Sequence, residues 1–268
     1  MSKQPTALLV TAGFAGGAVF SALIAWYLRD SSRGGGHVKQ LMPPFISDRQ
    51  GNDEAEPRKL KVRHLDDFVQ MKCAPDLLLL GVFPDAKEIS ESVAAFKAAR
   101  FQLRKKVVNF NDPKVTCVVV GDGSTPRCGA LFAFRTKWRI ISVDPQMRQD
   151  PRWSNGAVRR LEVRRCKMED MVVEDCEGTV VFVALHAHVD LDEVLKHRVR
   201  WREEIPLEKR AVAVMAMPCC NFIESQSKVF GFEPQAQYED LSVFGGQRNM
   251  RVWENVNLNG DIDIDNKR

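Results

Sequence analysis

The amino-terminal stretch divides sharply into apolar and polar positions. The 22 residues from Ala7 to Leu28 carry no charge, and at about 1.5 Å each they make roughly 33 Å of helix, close to one hydrocarbon core. This predicts a single transmembrane anchor over 7–28. A cleaved signal peptide fits less well, because its apolar core is usually shorter, the leading segment carries only Lys3, and no clear small-x-small cleavage site precedes the Arg29-Asp30 boundary. Gly13, Gly17, Ser21 and Ala25 recur at every fourth position, so one helix face is smooth enough to pack against other transmembrane helices. Region 29–57 holds Gly34-Gly35-Gly36, Pro43-Pro44 and a polar run from Ser47 to Glu54 without a sustained apolar period, which is the composition of a flexible tether.

Region 58–268 alternates between two periods. Ile89, Val93, Phe96, Ala99 and Leu103 are spaced for one helix face over 84–106. A short β-branched run at 115–120 predicts a strand, 126–136 a helix, and 139–143 and 160–167 further strands. The run at 179–185 is apolar on both alternating sets, as in a strand covered on both faces. A charged surface helix is expected over 190–202 and a buried strand over 211–217. Segments 238–244 and 250–256, separated by Gly245-Gly246, read as a hairpin. The fold class is therefore α/β: a mostly parallel, Rossmann-like sheet with helices on both faces and a carboxy-terminal antiparallel hairpin, preceded by one transmembrane helix.

Within this frame, Val118-Val119-Val120 leads into Gly121-Asp122-Gly123-Ser124-Thr125-Pro126. Gly121 and Gly123 permit a sharp turn and close backbone approach to a ligand. Ser124 or Thr125 can cap the following helix, with Pro126 suited to its first turn, so that unpaired amides face the cleft. Asp144 ends the next strand 21 residues after Gly123, near the spacing of about 20 expected for an acid that takes ribose hydroxyls. Pro145 keeps Asp144 out of helical conformation. Glu169 and Asp170 follow the third strand. This order of strand, glycine turn, helix start and strand-end acid suits a nucleoside cofactor.

The same elements resemble class I S-adenosylmethionine-dependent methyltransferases over about 106–256. The resemblance implies S-adenosylmethionine as cofactor. Gly121, Asp122, Gly123 and Ser124 would surround its methionine part, Asp144 would bind the ribose, and Glu169 or Asp170 would meet the adenine. The chain departs from the family where an acid usually stands two residues before the first glycine: that position is Val119, and Asp122 is the substitute acid. A Rossmann dehydrogenase fits less well, since GxGxxG is absent.

A second constellation lies where an acceptor would enter. Leu185-His186-Ala187-His188 ends the fourth strand of the parallel series and Met217-Pro218-Cys219-Cys220 ends the fifth. His186 and His188 are candidate bases and Cys219 a candidate nucleophile. These strings are similar to the LHACGDL and PCC segments of a subset of methyltransferases associated with RNA modification, with His188-Val189 in place of Cys-Gly. Adjacent cysteines are awkward ligands for one tetrahedral ion, so no metal is expected. The asparagine-proline-proline-aromatic motif of amino-group methyltransferases is missing.

Composition narrows the rest. Net charge is +4 from 39 basic and 35 acidic residues, too balanced for a dedicated nucleic-acid binder. The clusters Arg159-Arg160, Arg164-Arg165 and 196–202 leave contact with RNA or acidic lipid headgroups open as an alternative, but interspersed acids such as Glu162 and Glu193 favour solvated faces. Seven cysteines without disulfide-framework spacing suggest a reducing compartment, the cytosol or the mitochondrial matrix side. Arg29, Arg33 and Lys39 after the apolar run, against Lys3 before it, place the domain on the positive-inside face. Two functions follow: a membrane-anchored methyltransferase of unspecified substrate, or a non-catalytic subunit with a methyltransferase fold in a membrane complex.

Overall fold

The computed structural model describes residues 62–103, 108–206, 209–219 and 222–254. The anchor 7–28 with Gly13, Gly17, Ser21 and Ala25, the tether 29–57, and Cys220 all lie outside the described residues. No described helix is long and apolar enough to cross a membrane.

Among the described residues, three helices precede the sheet: α1 (Arg63–Val69), α2 (Ala74–Leu80) and α3 (Ala86–Gln102). Helix α3 starts because the Asp85 carboxylate accepts the Glu88 amide at 3.0 Å, a side-chain cap for an otherwise unpaired donor. It buries Ile89, Val93, Phe96 and Ala99. The next elements are β1 (Thr116–Val120), α4 (Arg127–Arg135), β2 (Arg139–Val143), β3 (Leu161–Arg164), β4 (Val173–Cys176), β5 (Val180–Leu185), α5 (Leu191–His197), β6 (Val199–Trp201), β7 (Val212–Met217), β8 (Ala236–Glu239) and β9 (Asn249–Trp253).

A seven-stranded sheet runs in the order β3-β2-β1-β5-β7-β9-β8. Strands β1, β2, β3, β5 and β7 pair in parallel, while β9 is antiparallel to both β7 and β8. Every residue of β1 and β7 is buried, which accounts for their unbroken Val, Met and Ala runs: a central parallel strand has no solvent face to make polar. From β1 the chain adds β2 and β3 on one side, then returns to place β5 on the other. The strand order reverses between β1 and β5, and ligands bind outside the carboxyl ends of such a pair.

Three expectations need correction. Helix 190–202 ends at His197, and Val199–Trp201 instead forms β6, paired in parallel with β4 in a separate two-stranded sheet. Trp201 is fixed there by its indole N–H, which donates to the Gly178 carbonyl at 2.8 Å. The strand expected over 160–167 is confined to Leu161–Arg164. The hairpin strands are Ala236–Glu239 and Asn249–Trp253, with Gly245 and Gly246 in the connection between them.

Candidate cofactor site and acceptor edge

The glycine turn leaves the carboxyl end of β1 at the switch point. Gly121 and Gly123 both take left-handed φ, +73° and +79°, where a side chain would be strained. Their open faces are also covered. A Cβ on Gly121 would lie 2.9 Å from the Ala187 Cβ, and one on Gly123 would strike the Arg127 guanidinium, whose Cζ would be 3.1 Å away.

Asp122, between the two glycines, is buried and turned toward α4. Its carboxylate accepts the Cys128 amide at 3.0 Å, the Gly129 amide at 2.9 Å and the Ser142 hydroxyl at 2.7 Å. Asp122 therefore caps α4, the role expected of Ser124 or Thr125. Its part in the site is to hold the turn, since it is buried and its carboxylate accepts three protein donors. The Thr125 hydroxyl donates instead to the Val82 carbonyl at 2.5 Å, and the Ser124 carbonyl accepts the Arg148 amide at 3.0 Å. Burial pushes the Asp122 carboxyl above its usual range, against the Arg127 charge and the donated hydrogen bonds.

Asp144 sits at the tip of β2 beside this turn. One carboxylate oxygen accepts the Gly123 amide at 2.9 Å and the other the Gln146 amide at 2.6 Å. Each oxygen can accept a second hydrogen bond, so the acid binds the turn and keeps acceptor capacity beyond it. Glu169 and Asp170 lie in a single 3-10 turn after β3, the outer strand beyond β2. Asp170 is exposed and Glu169 partly so.

The β5 and β7 tips are neighbours. Leu185 pairs with Met217, and the His186 amide donates to the Met217 carbonyl at 2.8 Å. The two histidines part company there. His186, held at φ +54°, meets Glu91 of α3 through Nε2 at 2.9 Å. Glu91 also pairs with Lys87 at 2.8 Å. Burial pushes the Glu91 carboxyl up, but the hydrogen bonds and charges of His186 and Lys87 outweigh it and leave the acid below its usual range. His188 faces the other way, with Nε2 2.9 Å from the Cys219 Sγ and its ring stacked on Phe222 at 4.9 Å and 13°. Buried Gln226 donates to the Ala187 and Val189 carbonyls, both at 3.0 Å, and so fixes the backbone on either side of His188.

Cys219 is partly exposed, whereas Cys117, Cys128 and Cys176 are buried. Burial raises the thiol of each of those three, to about 11 for Cys176. Among the described residues no group of three or more His, Cys, Asp or Glu side chains is placed to hold a metal ion.

Sequence reading did not single out Arg127, Glu88, Glu91 or Gln226. Arg127 Nε is ion-paired with Glu88 Oε2, and the two side chains are 19% and 15% exposed. Nothing local marks this pair, because its partners come from separate helices. The proline-arginine step after the glycine turn was the one available signal for Arg127.

No protein-family model matches the chain, and no curated protein matches it. Among solved structures, a mutant of MtNAS in complex with S-adenosylmethionine is similar over 72% of this chain and 70% of that one, at 11% identity and a TM-score of 0.40. The pyocyanin biosynthetic protein PhzM is similar over 72% and 62%, at 13% identity and 0.36. An rRNA methylase from Streptococcus thermophilus is similar over 55% and 89%, at 15% identity and 0.33. The strand order on its own terms, with β9 antiparallel between β7 and β8, gives the domain a class I methyltransferase-like fold.

Proposed function

We propose that the domain binds S-adenosylmethionine at the carboxyl ends of β1 and β2 and transfers its methyl group to an acceptor admitted at the β5 and β7 tips. The observation that carries this reading is the Gly123 amide on Asp144, which joins a left-handed glycine turn to a strand-end carboxylate with acceptor capacity left for ribose hydroxyls. In the transfer, an acceptor lone pair forms a bond to the methyl carbon as the sulfonium–carbon bond breaks, leaving the neutral thioether S-adenosylhomocysteine and releasing the acceptor's proton. The His188–Cys219 pair is the group at the acceptor edge able to take that proton. Glu169 and Asp170 would face the adenine end. The 7–28 segment would hold the domain at a membrane, on its reducing side, with Gly13, Gly17, Ser21 and Ala25 against other helices.

Calorimetry with S-adenosylhomocysteine tests the reading. Losing a charge-assisted hydrogen bond costs about 1.5–3 kcal/mol, so Asp144→Ala should weaken binding roughly 10- to 150-fold. The absence of both heat and a melting shift from wild type at millimolar ligand would refute it. The covering of Gly121 by Ala187 and Gly123 by Arg127 favours a second reading, a methyltransferase-fold subunit without catalysis, and that result would select it. Release of the full-length protein by alkaline carbonate would refute the anchor.

A further inference from the structure

The N-terminal turns of α3 press an acid-rich surface against the glycine turn. Asp85, Glu88 and Glu91 face Lys87, Arg127 and His186 there. Arg127, the first residue of α4, lays its guanidinium across the open face of Gly123 and is held by Glu88. A guanidinium presents paired donors that match a carboxylate in a plane, and it stands at the end of the turn where the amino-acid tail of a sulfonium nucleoside would lie.

Glu88 is a poor permanent partner for it. Burial raises its carboxyl, and although Arg127 opposes this, the charge of Glu91 adds to the rise. Both acids project from successive turns of one helix, so relieving Arg127 of Glu88 also leaves Glu88 within reach of Lys87, 3.6 Å away. The internal carboxylate therefore has somewhere else to go.

We propose that Arg127 is the receptor for the α-carboxylate of the bound nucleoside, and that Glu88 occupies it until that carboxylate replaces it. The inference rests on the cofactor reading above and adds the residue that selects for the amino-acid tail. Arg127 acts by direct contact with the ligand; Glu88 acts as an internal competitor.

The test is calorimetry on the full chain with S-adenosylhomocysteine and with its decarboxylated analogue, for wild type, Arg127→Met and Glu88→Gln. Both substitutions break the same ion pair, so any shared loss of stability cancels, while their effects on affinity run in opposite directions. Arg127→Met should weaken S-adenosylhomocysteine about 10- to 100-fold, and Glu88→Gln should tighten it about 3- to 10-fold by removing the competitor. The decarboxylated analogue should bind all three proteins within about twofold. Equal losses for both ligands in Arg127→Met, or weaker S-adenosylhomocysteine binding in Glu88→Gln, would overturn the assignment while leaving the cofactor site standing. Wild type that binds neither ligand would refute the cofactor reading and this inference with it.

Discussion

Replacing Asp122 probes how the glycine turn is held. Three buried or partly buried donors converge on this carboxylate: the Cys128 and Gly129 amides at the start of α4 and the Ser142 hydroxyl on β2. Asp122→Ala leaves all three without an acceptor, and each unsatisfied buried donor costs about 1–3 kcal/mol. The expected loss is therefore at least ~3 kcal/mol, a large share of the roughly 5–15 kcal/mol that holds a domain together. Asp122→Asn should cost less. Its amide group must face one helix N–H, but Ser142 can reverse its hydroxyl to accept, so one orphaned donor, or about 1–3 kcal/mol, remains. Urea titration by circular dichroism measures both, with an unchanged slope showing that the unfolded state is the same. The pH dependence adds a sign. Burial raises the folded-state acid, so the folded protein binds more protons than the unfolded chain in the window just above ~3.9. Wild type thus loses stability relative to Asp122→Asn as pH rises through that window and is level with respect to pH above it. A loss below about 0.5 kcal/mol for Asp122→Ala would refute the argument that this acid caps α4.

Other predictions follow from single contacts. Gly123→Ala, at φ +79° and against the Arg127 guanidinium, should lower stability by at least ~1 kcal/mol in the same titration; no change would mean the turn relaxes. Cys219 should alkylate with iodoacetamide faster than the buried cysteines, and His188→Ala should slow it several-fold, read by mass spectrometry with Cys219→Ser separating it from Cys220; equal rates with and without His188 would dissolve the pair. Gln226→Ala should produce the same slowing without touching either side chain, because the Ala187 and Val189 carbonyls lose their donor. Asp240, 2.7 Å from His64, is pushed up by burial but held below its usual range by His64 and Lys97. Its contribution should be complete above ~3.9 and be lost as pH falls through the folded value, a slope that Asp240→Asn should abolish.

The central strands were legible because burial on both faces leaves an unbroken apolar run, as at Val180–Leu185 and Val212–Met217. The glycine turn and Asp144 were legible because their spacing is set by one strand-turn-helix-strand unit. Helices α1 and α2 were missed, being seven residues each, too short for a repeat to stand out. Strand β6 was absorbed into a helix because Asp192, Glu193, Lys196 and His197 carry a helical charge pattern up to it, while its own identity depends on Val173–Cys176. Position alone placed Asp122 in the cleft; the direction of its side chain depends on where α4 begins. The His188–Cys219 meeting could be anticipated from adjacent strand tips, but the departure of His186 toward Glu91 could not, since it depends on the packing of α3.

That packing sets the boundary of any working fragment. Through Glu88 to Arg127, Glu91 to His186, and the Ser90 hydroxyl to the Phe244 amide at 2.9 Å, one stretch of α3 touches the start of α4, the end of β5 and the connection leading to β9. A fragment begun at β1 would contain the whole seven-stranded sheet and yet leave Arg127 and His186 without their α3 partners at the carboxyl edge of the central strands. The indivisible unit is thus larger than the sheet, and hydrogen exchange should find these three distant stretches of chain opening together with α3.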